Sequence, residues 1–399
     1  MKEISRAAEN VKPSSTFAVN ALARRMKAEG LDVIDFGMGE PDFGTPENIR
    51  RAAIRAIESG KTRYTPSPGI DELRKAAADR LYEDCGARYS PSQIVAASGA
   101  KHSIFAAVSA LLNPGDEAVI PAPYWVTYPE AVKLAGGVPV FVAAGESAGF
   151  KLTAEQLDAA VTPRTKLVII NNPSNPTGML YGGDELRRLA EVCAKRDLYI
   201  VADEIYSRMV YDGREFVSIA ALGEEARERA ILINGVSKAY AMTGWRVGYS
   251  ASSEKLARVM GNFLSHSTSA PSTISQYAAV EALSGPQDSV ETMRRAFEER
   301  RNRAVRRVNG IPGIGCITPE GAFYIMINIG RQLGKTLGGR VIRDGDGFAL
   351  SLLERARVAV VSCSGFGAPD FVRMSYAAGM DDIEEGLRRV EKFLSEEGR

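Results

Sequence analysis

This 399-residue sequence predicts an α/β fold: a large domain on a mostly parallel sheet flanked by helices, and a smaller α+β domain formed by the N- and C-terminal segments. Two observations carry that expectation. From about residue 90 to about 250, short Val/Ile-rich runs alternate with amphipathic stretches, the pattern of strand–helix–strand crossovers. After Ser289 the texture changes to a charge-dense segment followed by short strand-like runs. The length exceeds what one simple core accommodates. The divisions read as 1–45 for an N-terminal arm and part of the small domain, 46–290 for the large domain, and 291–399 for the rest of the small one, with no internal repeat or low-complexity linker.

In chain order, Val33 to Gly37 reads as a strand entering the turn-forming Gly39-Glu40-Pro41-Asp42. Candidate strands of the large domain are Gln93 to Ala97, Glu117 to Pro121, Val138 to Val142, Lys166 to Asn171, Leu198 to Ala202, Ala230 to Gly235, and Arg246 to Ser250. Helices fill the intervals, as in Gly183 to Arg196, where Leu186, Leu189, Ala190 and Cys193 recur at helical spacing. Glu291 to Val308, dense in Arg and Glu, reads as a long exposed helix. Gly321 to Ile329, Val358 to Ser362 and Phe371 to Tyr376 look like strands, and Asp381 to Glu396 like a closing helix capped by aspartate.

Composition narrows the function. Lys plus Arg is 50 and Asp plus Glu is 49, a balance that gives no global attraction to nucleic acid or anionic lipid, so neither a nucleic acid nor a membrane is an expected partner. The cysteines, Cys85, Cys193, Cys316 and Cys363, are widely spaced with no C-x-x-C, which argues against a disulfide scaffold or zinc ribbon and fits a reducing compartment. No run approaches the ~20 apolar residues of a membrane span, and Met1 to Lys12 lacks an apolar secretion core, so a cytoplasmic location is expected. With only His102 and His266 available, a multi-histidine metal site cannot be built, and no metal is expected.

The chemistry gathers at predicted strand ends, where open α/β sheets collect ligands. Lys238 lies in Ser237-Lys238-Ala239-Tyr240-Ala241-Met242-Thr243-Gly244-Trp245-Arg246, just past an apolar strand. Burial and nearby cations turn such a lysine from a protonated spectator into a nucleophile. Ser237 adds a hydroxyl, and Arg246 a planar cation suited to phosphate, although a surface Lys/Arg pair engaged in ion pairing reads equally from these residues. Ser98-Gly99-Ala100-Lys101 opens a helix, so its amides can face an anion or simply form a turn. Pro123-Tyr124-Trp125 offers rings able to stack on a planar ligand or to fill core. Pro173-Ser174-Asn175-Pro176-Thr177-Gly178 restrains a loop around the Asn175 amide. Asp203-Glu204-Ile205-Tyr206 offers a carboxylate for a protonated ring nitrogen, and a phenol, or alternatively a magnesium ligand or helix cap. Gly330-Arg331-Gln332-Leu333-Gly334-Lys335-Thr336 imitates a phosphate loop, but three residues rather than four separate its glycines, which rejects it.

Together Gly99, Trp125, Asn175, Asp203, Tyr206, Ser237, Lys238 and Arg246 resemble the pyridoxal-phosphate site of fold-type I, class I aminotransferases, within them the bacterial branch of aspartate- and prephenate-using enzymes. The phrases GEPDF, YTPSPGI, PYWVTYPE, NNPSNPTG, VADEIY, SKAYAMTGWRVGY and VRMSYA carry the resemblance, which runs from Lys12 to the C-terminus. It implies pyridoxal 5′-phosphate as cofactor, and transfer of an amino group from aspartate or another amino acid to 2-oxoglutarate in two half-reactions. Lys238 would hold the cofactor aldehyde covalently and then shuttle a proton. Asp203 would keep the pyridine nitrogen protonated, and Asn175 and Tyr206 would hold the ring oxygen. Trp125 would stack on the ring, while Ser237, Arg246 and the amides near Gly99, Ala100 and Lys101 would hold the phosphate.

The resemblance also implies a homodimer with shared sites, Tyr64 reaching the phosphate of the other subunit. Arg373, which by itself reads as an inter-element salt bridge, would grip the substrate α-carboxylate beside the Gly39 amide. Lys101, with hydroxyls near Ser15 and Thr16, would read a distal carboxylate. His102 stands where the branch often has glutamine, and His266 and Cys363 fall in segments expected to border the site. A β-lyase or decarboxylase of the same fold, and a regulatory module, are the rival readings. The regulatory one is disfavoured by the short stretch before the resemblance and by the presence of Lys238.

Overall fold

The computed structural model describes residues 16–397 together with positions 4, 5, 9 and 11. Strand β1 (Ile34–Asp35) precedes the main sheet, whose strands are β2 (Ile94–Ala97), β3 (Glu117–Ala122), β4 (Val138–Ala143), β5 (Thr165–Asn171), β6 (Tyr199–Asp203), β7 (Ala230–Gly235) and β8 (Gly248–Ala251). They lie in the order β2-β8-β7-β6-β5-β3-β4. Only β8 runs against its two neighbours, so the sheet is mostly parallel.

Both faces of this sheet are covered, which is why its strands read as continuous apolar runs rather than alternating ones. Val168, Ile170, Ile200, Ala202 and Leu232 face one core, while Leu167, Ile169, Val201, Ile231 and Ile233 face the other. Helix 183–195 covers the first face through Leu186, Leu189 and Cys193, and helix 100–111 the second through Ile104, Ala107 and Val108.

A third core joins the early and late chain. It holds Val33, Ile34 and Phe36 together with Phe297, Phe323, Phe348, Leu352 and Leu387. Around it lie β9 (Tyr324–Asn328), the hairpin of β10 (Thr336–Leu337) and β11 (Arg340–Val341), then β12 (Val358–Ala359), β13 (Val361–Ser362) and β14 (Phe371–Ser375). β13, β14 and β9 form an antiparallel sheet, and β1 pairs in parallel with β12.

Several expectations are corrected. The strand expected over Val358 to Ser362 is two, because β12 pairs with β1 and β13 with β14. Arg246 does not begin β8: it sits at φ +57, two residues before Gly248, a left-handed turn that brings the chain into the sheet. Helix 288–310 is exposed on one side only, since Met293, Phe297, Ala304 and Val308 are buried. Its Arg301 is 1% exposed, where it makes two hydrogen bonds to Asp212, donates to the Pro319 carbonyl and faces the Tyr211 ring. The closing helix starts at Met380, so Asp381 lies in its first turn and not at its cap.

Candidate active site

The C-terminal ends of the parallel strands open on one edge of the sheet, and the antiparallel β8 brings its N-terminal end to the same edge. Register fixes this: Gly248 lies opposite both Ala97 at the end of β2 and Gly235 at the end of β7. Arg246, Ser98, Gly99 and the Lys238 loop therefore meet although they are far apart in sequence. Glycine is required at the junction. A Cβ on Gly248 would lie 2.3 Å from the Ala100 nitrogen, and one on Gly99, at φ +88, would lie 2.4 Å from Arg246 Nη2.

A cavity of about 660 Å³ lies over this edge, lined by Gly39, Ala100, Lys101, Trp125, Asn175, Asp203, Tyr206, Ser237, Lys238, Arg246 and Arg373. Of the residues singled out from sequence, Gly99 stands just behind as the cap of helix 100–111. Tyr64 is fully exposed and away from the cavity of its own chain. His266 is exposed at the end of helix 254–265, His102 is half-buried against Thr268, and Cys363 is buried among Phe366, Met326 and Phe150. None of these three lines the cavity: His266 faces solvent, His102 turns to Thr268, and Cys363 packs in a neighbouring apolar cluster. Ser15 and the side chain of Thr16 lie outside the described residues.

Lys238 Nζ donates to the Gly39 carbonyl at 2.5 Å. Burial brings its ammonium down to about 8, reinforced by Arg373 and Arg246 and opposed by Glu40 and Asp203. Asp203 ends β6 on the face of Val201, accepting hydrogen bonds from the Tyr128 hydroxyl at 2.7 Å and from the Ile205 amide at 3.3 Å. Burial nevertheless raises its carboxyl to about 6. The Tyr206 and Tyr324 hydroxyls pair at 3.0 Å. Arg373, on β14, donates to Asn175 Oδ1 at 3.0 Å and to the Gly37 carbonyl at 3.1 Å, with its guanidinium 4.3 Å from the Tyr324 ring centroid. Its Nε is buried without a partner.

Sequence reasoning missed Tyr128, Tyr324, Phe366 and Glu40, all of which line the cavity. Tyr128 carried a usable signal, for it falls three residues after Trp125 where a helix opens, and so shares its face. Tyr324 carried none, since only the pairing of β9 with β14 brings it beside Arg373.

The arrangement leaves four cations, Lys101, Lys238, Arg246 and Arg373, in one cavity, and among the described residues none of them has an ion-pair partner. Arg373 is buried and Lys238 partly so, whereas Lys101 and Arg246 are exposed; a buried cation needs a counter-charge, so the cavity suits an anionic ligand. Fold and site together define an α/β enzyme whose cavity holds a lysine amine with two arginines that have no ion-pair partner among the described residues. The chain belongs to the aminotransferase class I and II family, whose pattern it matches over residues 31–390. It is 48% identical to an aspartate aminotransferase of Geobacillus stearothermophilus over 98% of this chain and 99% of that one. An aspartate/prephenate aminotransferase of Cereibacter sphaeroides is 48% identical, covering 96% of this chain and 97% of its own. The crystal structure of the aspartate aminotransferase from Rhizobium meliloti superimposes with a TM-score of 0.95, at 42% identity and 99% coverage of both chains.

The family depends on pyridoxal 5′-phosphate. The residues present fit it: a junction at Gly99 and Gly248 that admits no Cβ and so keeps Arg246 against the opening of helix 100–111, an Arg246 without an ion-pair partner among the described residues, a buried carboxylate and a lysine of lowered pKa.

Proposed function

We propose that this protein is an aspartate:2-oxoglutarate aminotransferase working by ping-pong exchange. The observation that carries the proposal is the placement of Lys238 with two arginines, Arg246 and Arg373, that have no acidic partner among the described residues. One suits a phosphate, the other a substrate carboxylate. When bound, pyridoxal 5′-phosphate supplies an aldehyde and a ring that withdraws electrons from the substrate α-carbon.

The protein's own groups do the rest. Arg246, Ser237 and the amides of Gly99, Ala100 and Lys101 hold the phosphate. Trp125 packs against the ring, Asn175 and Tyr206 hold the ring oxygen, and Asp203 keeps a proton on the pyridine nitrogen. Arg373 and the Gly39 amide orient the amino acid by its α-carboxylate. Lys238 Nζ takes a proton from the α-carbon side and returns it, a task for which a pKa brought to about 8 suits it. Lys101 reads the distal carboxylate that aspartate and 2-oxoglutarate share.

We infer further that the protein is a cytoplasmic homodimer, with Tyr64 of the partner subunit completing each phosphate site. Among the described residues no helix is long and apolar enough to cross a membrane. A second reading, use of prephenate or aromatic amino acids, is supported by the aspartate/prephenate relative.

A scan of amino donors against 2-oxoglutarate tests the assignment. Aspartate is expected to give the highest kcat/KM and, without a keto acid, to shift the visible absorption of the holoenzyme. A spectrum unchanged by aspartate but moved by another amino acid overturns the substrate. Release of pyruvate and ammonia, or of carbon dioxide, overturns the transferase reading.

A further inference from the structure

The segment from Gly37 to Thr45 lines the cavity with its first four residues, Gly37 to Glu40, yet its backbone is held by nothing regular. The last ladder contacts before it are at Phe36, which donates to the Ala359 carbonyl and accepts from Ser375. Among the described residues no backbone–backbone hydrogen bond involves 37–45. Glycines at 37 and 39 make the stretch loose in principle. Even so, its carbonyls meet two functional cations: Gly37 accepts from Arg373 and Gly39 from Lys238.

Side chains hold it instead. Thr45 Oγ1 donates to the Ala241 carbonyl at 2.7 Å and accepts from Trp245 Nε1 at 3.0 Å, and Asp42 pairs with Arg300 at 2.7 Å. Next to the two carbonyls the fastener is Glu40, whose Oε2 accepts from Thr243 Oγ1 at 2.5 Å. Thr243 belongs to the Lys238 loop, and its carbonyl accepts from Arg246 Nη1 at 2.8 Å. Pro41 disfavours helical backbone at Glu40 and so keeps the segment extended there.

We propose that the Glu40–Thr243 hydrogen bond is a latch, and Glu40 a positioning residue for the amino-transfer reaction. It holds segment 37–45 on the lysine loop so that the Gly37 and Gly39 carbonyls meet Arg373 and Lys238 together. The need is greatest once Lys238 Nζ is engaged with a ligand, because the bond to Gly39 is then lost and the latch is the nearest remaining anchor. The inference rests on the aminotransferase reading.

The test compares Glu40→Ala, Thr243→Val, the double variant, and the conservative Glu40→Gln and Thr243→Ser. Hydrogen exchange is followed in the cofactor-free chain at the Phe36 and Gly37 amides, which at the head of the segment donate to the Ala359 carbonyl and to Asp35 Oδ1, and KM and kcat for aspartate in the holoenzyme. Loss of a hydrogen bond to a charged group predicts roughly tenfold faster exchange in Glu40→Ala and Thr243→Val, and a KM raised by roughly tenfold with kcat changed less. The double variant should be no worse than either single one, and the two conservative variants should keep exchange close to wild type. Unchanged exchange in Glu40→Ala overturns the latch, as does Glu40→Gln behaving like Glu40→Ala, or Thr243→Val behaving like wild type. Faster exchange in a protein that transfers no amino group from any donor leaves the latch standing and removes the aminotransferase reading instead.

Discussion

Arg373 is 5% exposed, with an unpartnered Nε and no carboxylate bonded to it among the described residues. Such a cation is costly until a ligand neutralises it. Truncating one member of a buried charge pair costs ~2 to 5 kcal/mol. Arg373→Ala is therefore expected to lower kcat/KM for aspartate by roughly thirty-fold to several thousand-fold; equal efficiency for every amino acid would contradict its role. Lys238→Ala should abolish turnover while cofactor still binds through Arg246 and Ser237, checked by assay and by equilibrium dialysis. A buried group outside the reaction gives a pH prediction. Glu204, next to Asp203 but on the opposite face, accepts from the Ser218 hydroxyl at 2.8 Å, and its Oε2 is buried without a partner. Burial raises its carboxyl to about 8 from an ordinary value of 4.5. A raised folded pKa contributes stability that is present below the unfolded value and lost as pH rises through the folded one. Relative to Glu204→Gln, the wild type should thus lose melting temperature between about pH 4.5 and pH 8 and run parallel above that. Parallel profiles throughout would place the ionisation of Glu204 elsewhere.

At the scale of elements, the meeting of β2, β7 and β8 brings Arg246 against the opening of helix 100–111, where the proposed phosphate site lies. A methyl group at Gly248 would press on Ala100 and Gly99 backbone, which cannot swing aside as a side chain can. Gly248→Ala is expected to cost ~1 to 3 kcal/mol in stability, the range for overpacking. It should also weaken cofactor binding, by separating the helix opening at Ala100 from Arg246; a normal melting temperature with normal cofactor affinity would refute this. The same junction explains what was legible in the sequence. Asp203, Lys238 and Asn175 follow directly on apolar strands, so local pattern finds them. Arg246 was found as a residue, but its turn into an antiparallel strand was not, because strand direction is set by pairing with β2 and β7 and leaves no local mark. Arg373 reads by itself as a salt-bridging arginine, and only the packing of β14 shows it beside Tyr324 and Asn175 with no acid bonded to it among the described residues. The segment 288–310 looked exposed because its charges dominate composition, whereas its apolar residues recur on one helical face.

At the scale of the whole molecule, one chain accounts for the cavity but not for Tyr64. That phenol is fully exposed, and Ile54 and Ile57 on the preceding helix are half exposed as well, an arrangement that suits a surface covered by a second copy. If Tyr64 acts across such an interface, two defective variants must rescue each other. Lys238→Ala leaves a chain with an inert site but an intact Tyr64 to lend; Tyr64→Ala leaves an intact Lys238 but a phosphate site deprived of its neighbour. In a mixed dimer one site carries both lesions and the other carries neither. Unfolding and refolding the two variants together at equal amounts should yield statistically half mixed dimers, and with them about a quarter of wild-type activity per chain, from one healthy site in each mixed pair. Mixing without subunit exchange should give only the average of the two parents. Activity that stays at that average after exchange, with mixed dimers verified by mass, would show that Tyr64 serves its own chain or none.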